Sequence, residues 1–218
     1  MKYIDIHVHT PLPDNSDVIS IVDISSPVSS ALIAPPYCSY GIHPWFLTED
    51  NAASQLFQLE TLLQNNTIVA IGEVGLDAMR GADRTLQERT FEAVITLSER
   101  YQKPLIIHCV KAWDKLLSLH KNRKAQQTWL IHGFQGNNEL ALQLTKRNIL
   151  LSFGAKLLND TKIQTVFPQI PIHFVFFETD DARMNIADIY QTAATIRKIE
   201  VETLKNAVFE NFKRLSEL

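Results

Sequence analysis

The sequence is poor in the features that mark several common protein classes. Of its 218 residues only two are cysteine, Cys38 and Cys109. Two cysteines make no disulfide framework, so the reducing cytosol is the expected setting. Positive charge is not in excess: 21 Lys and Arg stand against 24 Asp and Glu, giving a formal net charge of -3. No broad basic field is available to hold a nucleic-acid duplex by its backbone, and a phosphate-bearing substrate needs a local site. No apolar run approaches the length of a membrane span, and no basic stretch leads into an apolar one near the start. Fixed-period repeats and low-complexity tracts are missing too. What is present is 45% hydrophobic sequence, enough for one sizeable core. The expectation is a cytoplasmic, monomeric protein without membrane contact, with residues 1–218 forming one domain.

The first motif met is "YIDIHVHT" from Tyr3. Ile4, Ile6 and Val8 alternate with Asp5, His7 and His9, which reads as a β-strand with one apolar face. Strand-like stretches recur at Val18–Ile24, Cys38–His43, Ile68–Glu73, Leu105–Cys109, Thr128–His132, Ile149–Phe153 and His173–Glu178. An apolar stripe at helical spacing runs through Ala52, Leu56, Leu59 and Leu63, and another through Phe91, Val94, Ile95 and Tyr101. Further helical stretches cover Trp113–Lys121, Glu139–Arg147, Asp160–Phe167 and Asp188–Lys198, with more at the C-terminus. Runs such as "PLIIHC" and "IHFVFF" are apolar on both faces, as in a parallel sheet covered by helices. Eight such strands predict an α/β fold of the (β/α)8 TIM-barrel type. A doubly wound open sheet is the competing architecture. The Ser-, Pro- and Asp-rich region from Pro11 to Pro36 has no convincing helix, so the first crossover helices are expected to be shortened or missing.

Ionisable residues fall at the C-terminal ends of these strands, where barrel active sites lie. His7 and His9 close strand one, His43 strand three, Glu73 strand four, His108 strand five and His132 strand six; Asp180 follows strand eight. Taken singly, a strand-end histidine reads as a hydrogen-bonded core residue, and a carboxylate as a loop residue or cap. Taken together, five of the seven histidines would have gathered on one rim by accident. His120 and His173 fall outside the pattern and read as ordinary. His7, His9, His108 and His132 with Glu73 and Asp180 suit a divalent metal, and six ligands suit two ions better than one. Zn, Mg, Mn, Fe and Ni all fit such a shell. A metal can lower the pKa of water from ~15.7 toward ~7 and so supply a nucleophile at neutral pH. Asp5, one layer deeper on the His7 face, reads either as an orienting group behind a ligand or as a plain buried acceptor.

At this point the chain resembles the TatD family of metal-dependent hydrolases, within the amidohydrolase-like barrels. The matching segments are "DIHVH", "GIHPW", "VAIGEVGLD", "LQERTF", "KPLIIHC", "IHGFQG" and "FETDD", in the family's order from residue 5 to residue 181. The resemblance implies a deoxyribonuclease or phosphodiesterase. It implies that His7 and His9 hold one metal, that Glu73 bridges, and that His108 and His132 hold the other. Asp180 would be a ligand and the general base. The sequence departs from the family where Val110-Lys111 replace the usual Arg-Asp, where "DARMNIADIY" follows "ETD" without a Pro-containing loop, and in its shorter length. His43, Lys111 and Arg183 are the candidate phosphate contacts, and a DNA end the expected substrate. Two other readings compete: hydrolysis of a small amide, lactone or phosphoester at the same metals, and a metal serving structure alone. Structural sites are usually closed and Cys-rich, and no cysteine is among these ligands.

Overall fold

The alternation at the start of the chain does form a strand. In a computed structural model, β1 covers Tyr3–Val8, with Ile4 and Ile6 wholly buried. The structure describes residues 1–10, 17–25 and 36–216. The remaining strands are β2 Val18–Asp23, β3 Cys38–Tyr40, β4 Ile68–Asp77, β5 Leu105–Val110, β6 Trp129–Ile131, β7 Leu150–Phe153 and β8 Val175–Phe177. Helices intervene from β3 onward: α1 Glu49–Leu62, α2 Arg84–Tyr101, α3 Trp113–Asn122, α4 Asn138–Thr145 and α5 Thr161–Val166, then α6 Ile186–Arg197 and α7 Val201–Ser216 after β8. Side chains fix most of the helix starts. Thr48 and Asn51 form a reciprocal capping box on α1. Asp83, Asn137, Asp160 and Asn185 accept first-turn N–H groups of α2, α4, α5 and α6. The expected loss of crossover helices concerns a region of which 11–16 and 26–35 lie outside the described residues.

The eight strands hydrogen-bond in chain order, and the pairings β1–β2, β3–β4, β4–β5, β6–β7 and β7–β8 are all parallel. A parallel bridge between Val8 and Asp180 joins β1 to the end of β8. A doubly wound sheet reverses its strand order near the middle; this one does not. The fold is the (β/α)8 barrel type.

Several strand ends differ from the sequence expectation. β1 stops at Val8, so His9 lies just beyond it, and β3 stops at Tyr40, three residues before His43. β4 runs four residues past Glu73 because Val74, Gly75, Leu76 and Asp77 stay paired with β5 from Ile107 to Val110. Glu73 is therefore inside its strand. His173 sits in a 3-10 turn, Ile172–Phe174, ahead of β8. His120 packs edge-on against the Trp129 ring, 4.8 Å away, as an ordinary interior histidine does.

The described residues group into two compact units, Met1–Val22 with Leu130–Leu218, and Asp23–Trp129. In the first, aromatic rings stack from Phe153 to Phe167, Phe177 and Tyr190. The buried Tyr190 hydroxyl accepts the Ile4 N–H at 3.1 Å and donates to the Ile4 carbonyl at 3.0 Å. It ties α6 to the strand that carries His7. In the second unit, Phe91 of α2 packs on Trp129, 5.5 Å between ring centres. No helix of the described residues is long and apolar enough to cross a membrane. Removing the Tyr190 hydroxyl leaves a buried N–H and a buried carbonyl without it. Tyr190→Phe should lower unfolding stability by about 1–3 kcal/mol, read from a urea titration; an unchanged midpoint would show that Ile4 finds other partners.

Candidate metal-binding site

Each unit gathers its own cluster of imidazoles and carboxylates. In the first unit, His7 points from the polar side of β1 and is fully buried. Its Nε2 stands 3.6 Å from Asp180 Oδ1. His9 Nε2 stands 3.3 Å from the same oxygen and 3.9 Å from Asp181 Oδ1. His132, directly after β6, brings its ring centre within 4.8 Å of that of His7, and its Nδ1 within 3.5 Å of Glu178 Oε1. One donor atom each from His7, His132 and Asp180 lies within 4.8 Å of the others, and the same holds for His9, Asp180 and Asp181. Ligands each about 2.1 Å from one ion are at most roughly 4.2 Å apart, so small side-chain rotations suffice to bring such a set onto a cation.

The backbone holds Asp180 in an unusual posture. Its φ is 54°, a left-handed value that Asp tolerates better than most residues. Its N–H donates to the His7 carbonyl at 3.0 Å. The residue before it, Thr179, donates its N–H to Asp5 Oδ1 at 3.0 Å and its hydroxyl to Asp5 Oδ2 at 2.6 Å. Asp5 thus uses both oxygens to clamp Thr179, and through the chain it orients Asp180. Burial pushes the Asp5 carboxyl up to about 7, against the pull of the two Thr179 bonds. Beside Asp180 lies a cleft of about 210 Å³ whose lining includes Gly133, Lys156, Glu178, Thr179 and Asp181. Glu178 is buried and accepts the Gly133 N–H at 2.6 Å.

In the second unit Glu73, His43 and His108 bring donor atoms within 4.8 Å of one another. His43 Nδ1 accepts the Trp45 N–H at 3.1 Å. In the neutral ring Nε2 then carries the proton, and it faces Glu73 Oε1 at 3.1 Å. His108 lies between two carboxylates: Nδ1 is 2.8 Å from Glu73 Oε1 and Nε2 is 3.1 Å from Asp77 Oδ2. Asp77 also accepts Trp45 Nε1 at 2.7 Å and the N–H groups of Met79 and Arg80. Burial pushes its carboxyl up, but the bonds from Trp45, His108 and Met79 and the charge of His108 outweigh that and hold it below the usual range. Gln87 of α2 accepts the Asp77 N–H and donates to the Asp77, Arg80 and Ala82 carbonyls, bracing the loop behind β4. At Gly75, opposite His108, φ is 137° and a Cβ would come within 2.1 Å of the His108 carbonyl oxygen, so only glycine fits there.

The expected ligands are thus gathered as His7, His9, His132 and Asp180 in one unit, and Glu73 and His108 in the other. His43, expected as a phosphate contact, is hydrogen-bonded on both ring nitrogens within the second cluster. Lys111 and Arg183 are exposed, and no hydrogen bond or ion pair among the described residues draws either to a cluster. Sequence reasoning gave no site role to the Trp45 indole or Lys156, and held Glu178 and Asp77 only in reserve behind Asp180. The missed signal was alternation: in "EVGLD" the residues Glu73, Gly75 and Asp77 share one face if the strand continues.

The donor set fits a divalent cation: imidazole and carboxylate, without thiolate, partly buried and with donor atoms within 4.8 Å of one another in each group. Comparison with known proteins points the same way. A family model described as TatD related DNase matches residues 19–217. An "uncharacterized metal-dependent hydrolase" of Methanocaldococcus jannaschii is 24% identical over 195 residues, covering 82% of this chain and 76% of that protein. A "3'-5' ssDNA/RNA exonuclease TatD" of Edwardsiella piscicida is 27% identical over 164 residues, or 67% of this chain and 58% of that protein. The crystal structure of a TatD homologue from Escherichia coli K12 superposes with a TM-score of 0.84 at 23% identity, over 99% of this chain and 98% of that one.

The cysteines stand apart from both donor sets. Burial pushes the Cys109 thiol up to about 12, although it meets the Ala112 backbone, and raises that of Cys38 as well. At pH 8 thiolate is scarce at both positions, and the thiolate is the reactive form. Neither should react with iodoacetamide in minutes unless urea is added, as mass spectrometry would show; rapid labelling of native Cys109 would contradict its burial.

Proposed function

The chain belongs to the TatD-related DNase family and is a metal-dependent hydrolase; we propose that it cuts phosphodiester bonds at nucleic-acid ends with two divalent ions. The observation that carries this reading is the double cluster: His7, His132 and Asp180 in one unit, His43, Glu73 and His108 in the other. We assign His7, His9, His132 and Asp180 to one ion, and Glu73 and His108 to the other. Bound divalent cations would activate water and neutralise phosphate charge. That local positive charge suits a chain of net charge -3. The choice of nucleic acid rests on the names of the relatives.

The protein's own groups then divide the work. Asp180 has a side chain 41% exposed, within reach of solvent as well as of His7 and His9. It is the carboxylate suited to accept a proton from an attacking water. Asp5 and Thr179 fix where that carboxylate points. Glu73 is almost wholly buried, which suits a ligand rather than a proton shuttle. His43 donates to it and so acts as a positioning residue, in place of the phosphate contact expected from its sequence position. Lys111 and Arg183 enter as substrate contacts by charge alone. We assign the protein to the cytoplasm, since both cysteines are free thiols, and to the monomeric state.

Chelation with EDTA should abolish nucleotide release from a single-stranded oligonucleotide, and Mn²⁺ or Zn²⁺ should restore it. Asp180→Asn keeps a ligand oxygen but cannot take the proton. It should retain most of its metal and lose about 10²-fold or more in kcat. Near-wild-type turnover of that variant would remove Asp180 from the mechanism. Hydrolysis of lactones or amides, with no phosphodiester cut, would move the substrate out of the nucleic-acid class.

A further inference from the structure

The loop after His43 carries an exposed aromatic residue that neither cluster uses. Phe46 is 64% exposed, an unusual exposure for so large an apolar ring. It is also held firmly. Its N–H donates to the His43 carbonyl at 3.1 Å. Its own carbonyl accepts the Asn51 side-chain amide at 2.9 Å and that of Gln55 at 3.4 Å. Its ring centre lies 5.5 Å from that of His43, the residue that donates to Glu73. Trp45, one residue earlier, is anchored through its indole N–H to Asp77, and the Arg80 guanidinium covers its ring at 3.9 Å. Arg80 is exposed and forms no ion pair among the described residues. Met79, beside it, is 65% exposed.

We propose that Phe46, with the Arg80-covered Trp45 one residue earlier in the same loop, is a platform on which an unpaired nucleobase of the substrate stacks. This rests on the phosphodiesterase reading and deepens it. A ring fixed in the backbone but open on its outer face loses little entropy when a flat partner covers it. Nucleobases are flat, and stacking is tolerant of sequence because every base has a π-face. A guanidinium held on the indole of the preceding residue adds a positive charge on Trp45, suited to a substrate phosphate. A duplex end hides its bases in pairs and cannot present them to Phe46 without fraying. Stacking thus adds to the grip that local charges provide on an acidic chain.

The test is a binding cycle on metal-depleted full-length protein, so that turnover does not enter. Fluorescence anisotropy is measured with a labelled oligothymidylate and with the same oligonucleotide made abasic at its terminal residues. Removing the bases should weaken wild-type binding by about 10-fold, and Phe46→Ala should weaken binding of the intact oligonucleotide by a similar factor. The two changes together should cost no more than either alone, because they delete the same contact. Phe46→Trp should restore affinity, which a fold defect would not allow, and thermal melting checks that Phe46→Ala is folded. Additive losses, no loss from either change, or no oligonucleotide binding by the wild type would overturn the platform. None of those outcomes touches hydrolysis of a simple phosphodiester by the metal-loaded enzyme, whose absence would instead overturn the proposed function.

Discussion

A buried carboxylate is costly unless hydrogen bonds or charge meet it; the described residues hold five, of which Asp23 is met by Ser25. Asp5, Glu73, Asp77 and Glu178 are each at most 5% exposed. Asp5 is met by Thr179, Glu73 by His43 and His108, Asp77 by Trp45, His108 and two backbone N–H groups, and Glu178 by Gly133. Several of these bonds also hold residues of the two donor clusters or their neighbours in place. Thr179 carries Asp180 behind it, and His108 is held on both ring nitrogens. The (β/α)8 topology supplies the strand ends, and the buried acids determine what those ends hold.

Much of this was legible in the sequence, for reasons that vary by element. All eight strands could be read because their apolar residues either alternate, as in β1, or run together, as in β5 and β8. Helices α1 and α2 showed their stripes, and the strand-to-helix alternation led to the fold type. Strand ends were less legible. β4 continues past Glu73 because of pairing with β5, and no local preference at Gly75 announces that. Reading β4 four residues short left Asp77 only a reserve candidate and hid its bond to His108. His43 could be placed at the site but not in its role, because the Trp45 N–H that sets its tautomer depends on the path of the loop. The posture of Asp180 was equally out of reach, since it depends on contacts with His7 and, through Thr179, with Asp5, more than 170 residues away in the chain.

Function divides along the same line. Metal chemistry follows from residue types that sequence already displays, and the structure groups their donor atoms within 4.8 Å of one another. Substrate choice is the part left to proposal, resting on the cleft beside Asp180 and the loop that bears Phe46. The sequence departs from the family resemblance at Val110-Lys111 and in "DARMNIADIY", just after the strands that lead to His108 and Asp180.

The central claim is that each cluster holds its own divalent ion. The most direct measurement is metal content per chain, by mass spectrometry after saturation and desalting, on the wild type and on His132→Ala and His108→Ala. The account predicts about two ions in the wild type and the loss of about one in each variant, from different clusters. A folded wild type that retains no ion, or a His108→Ala variant with the full complement, would contradict it.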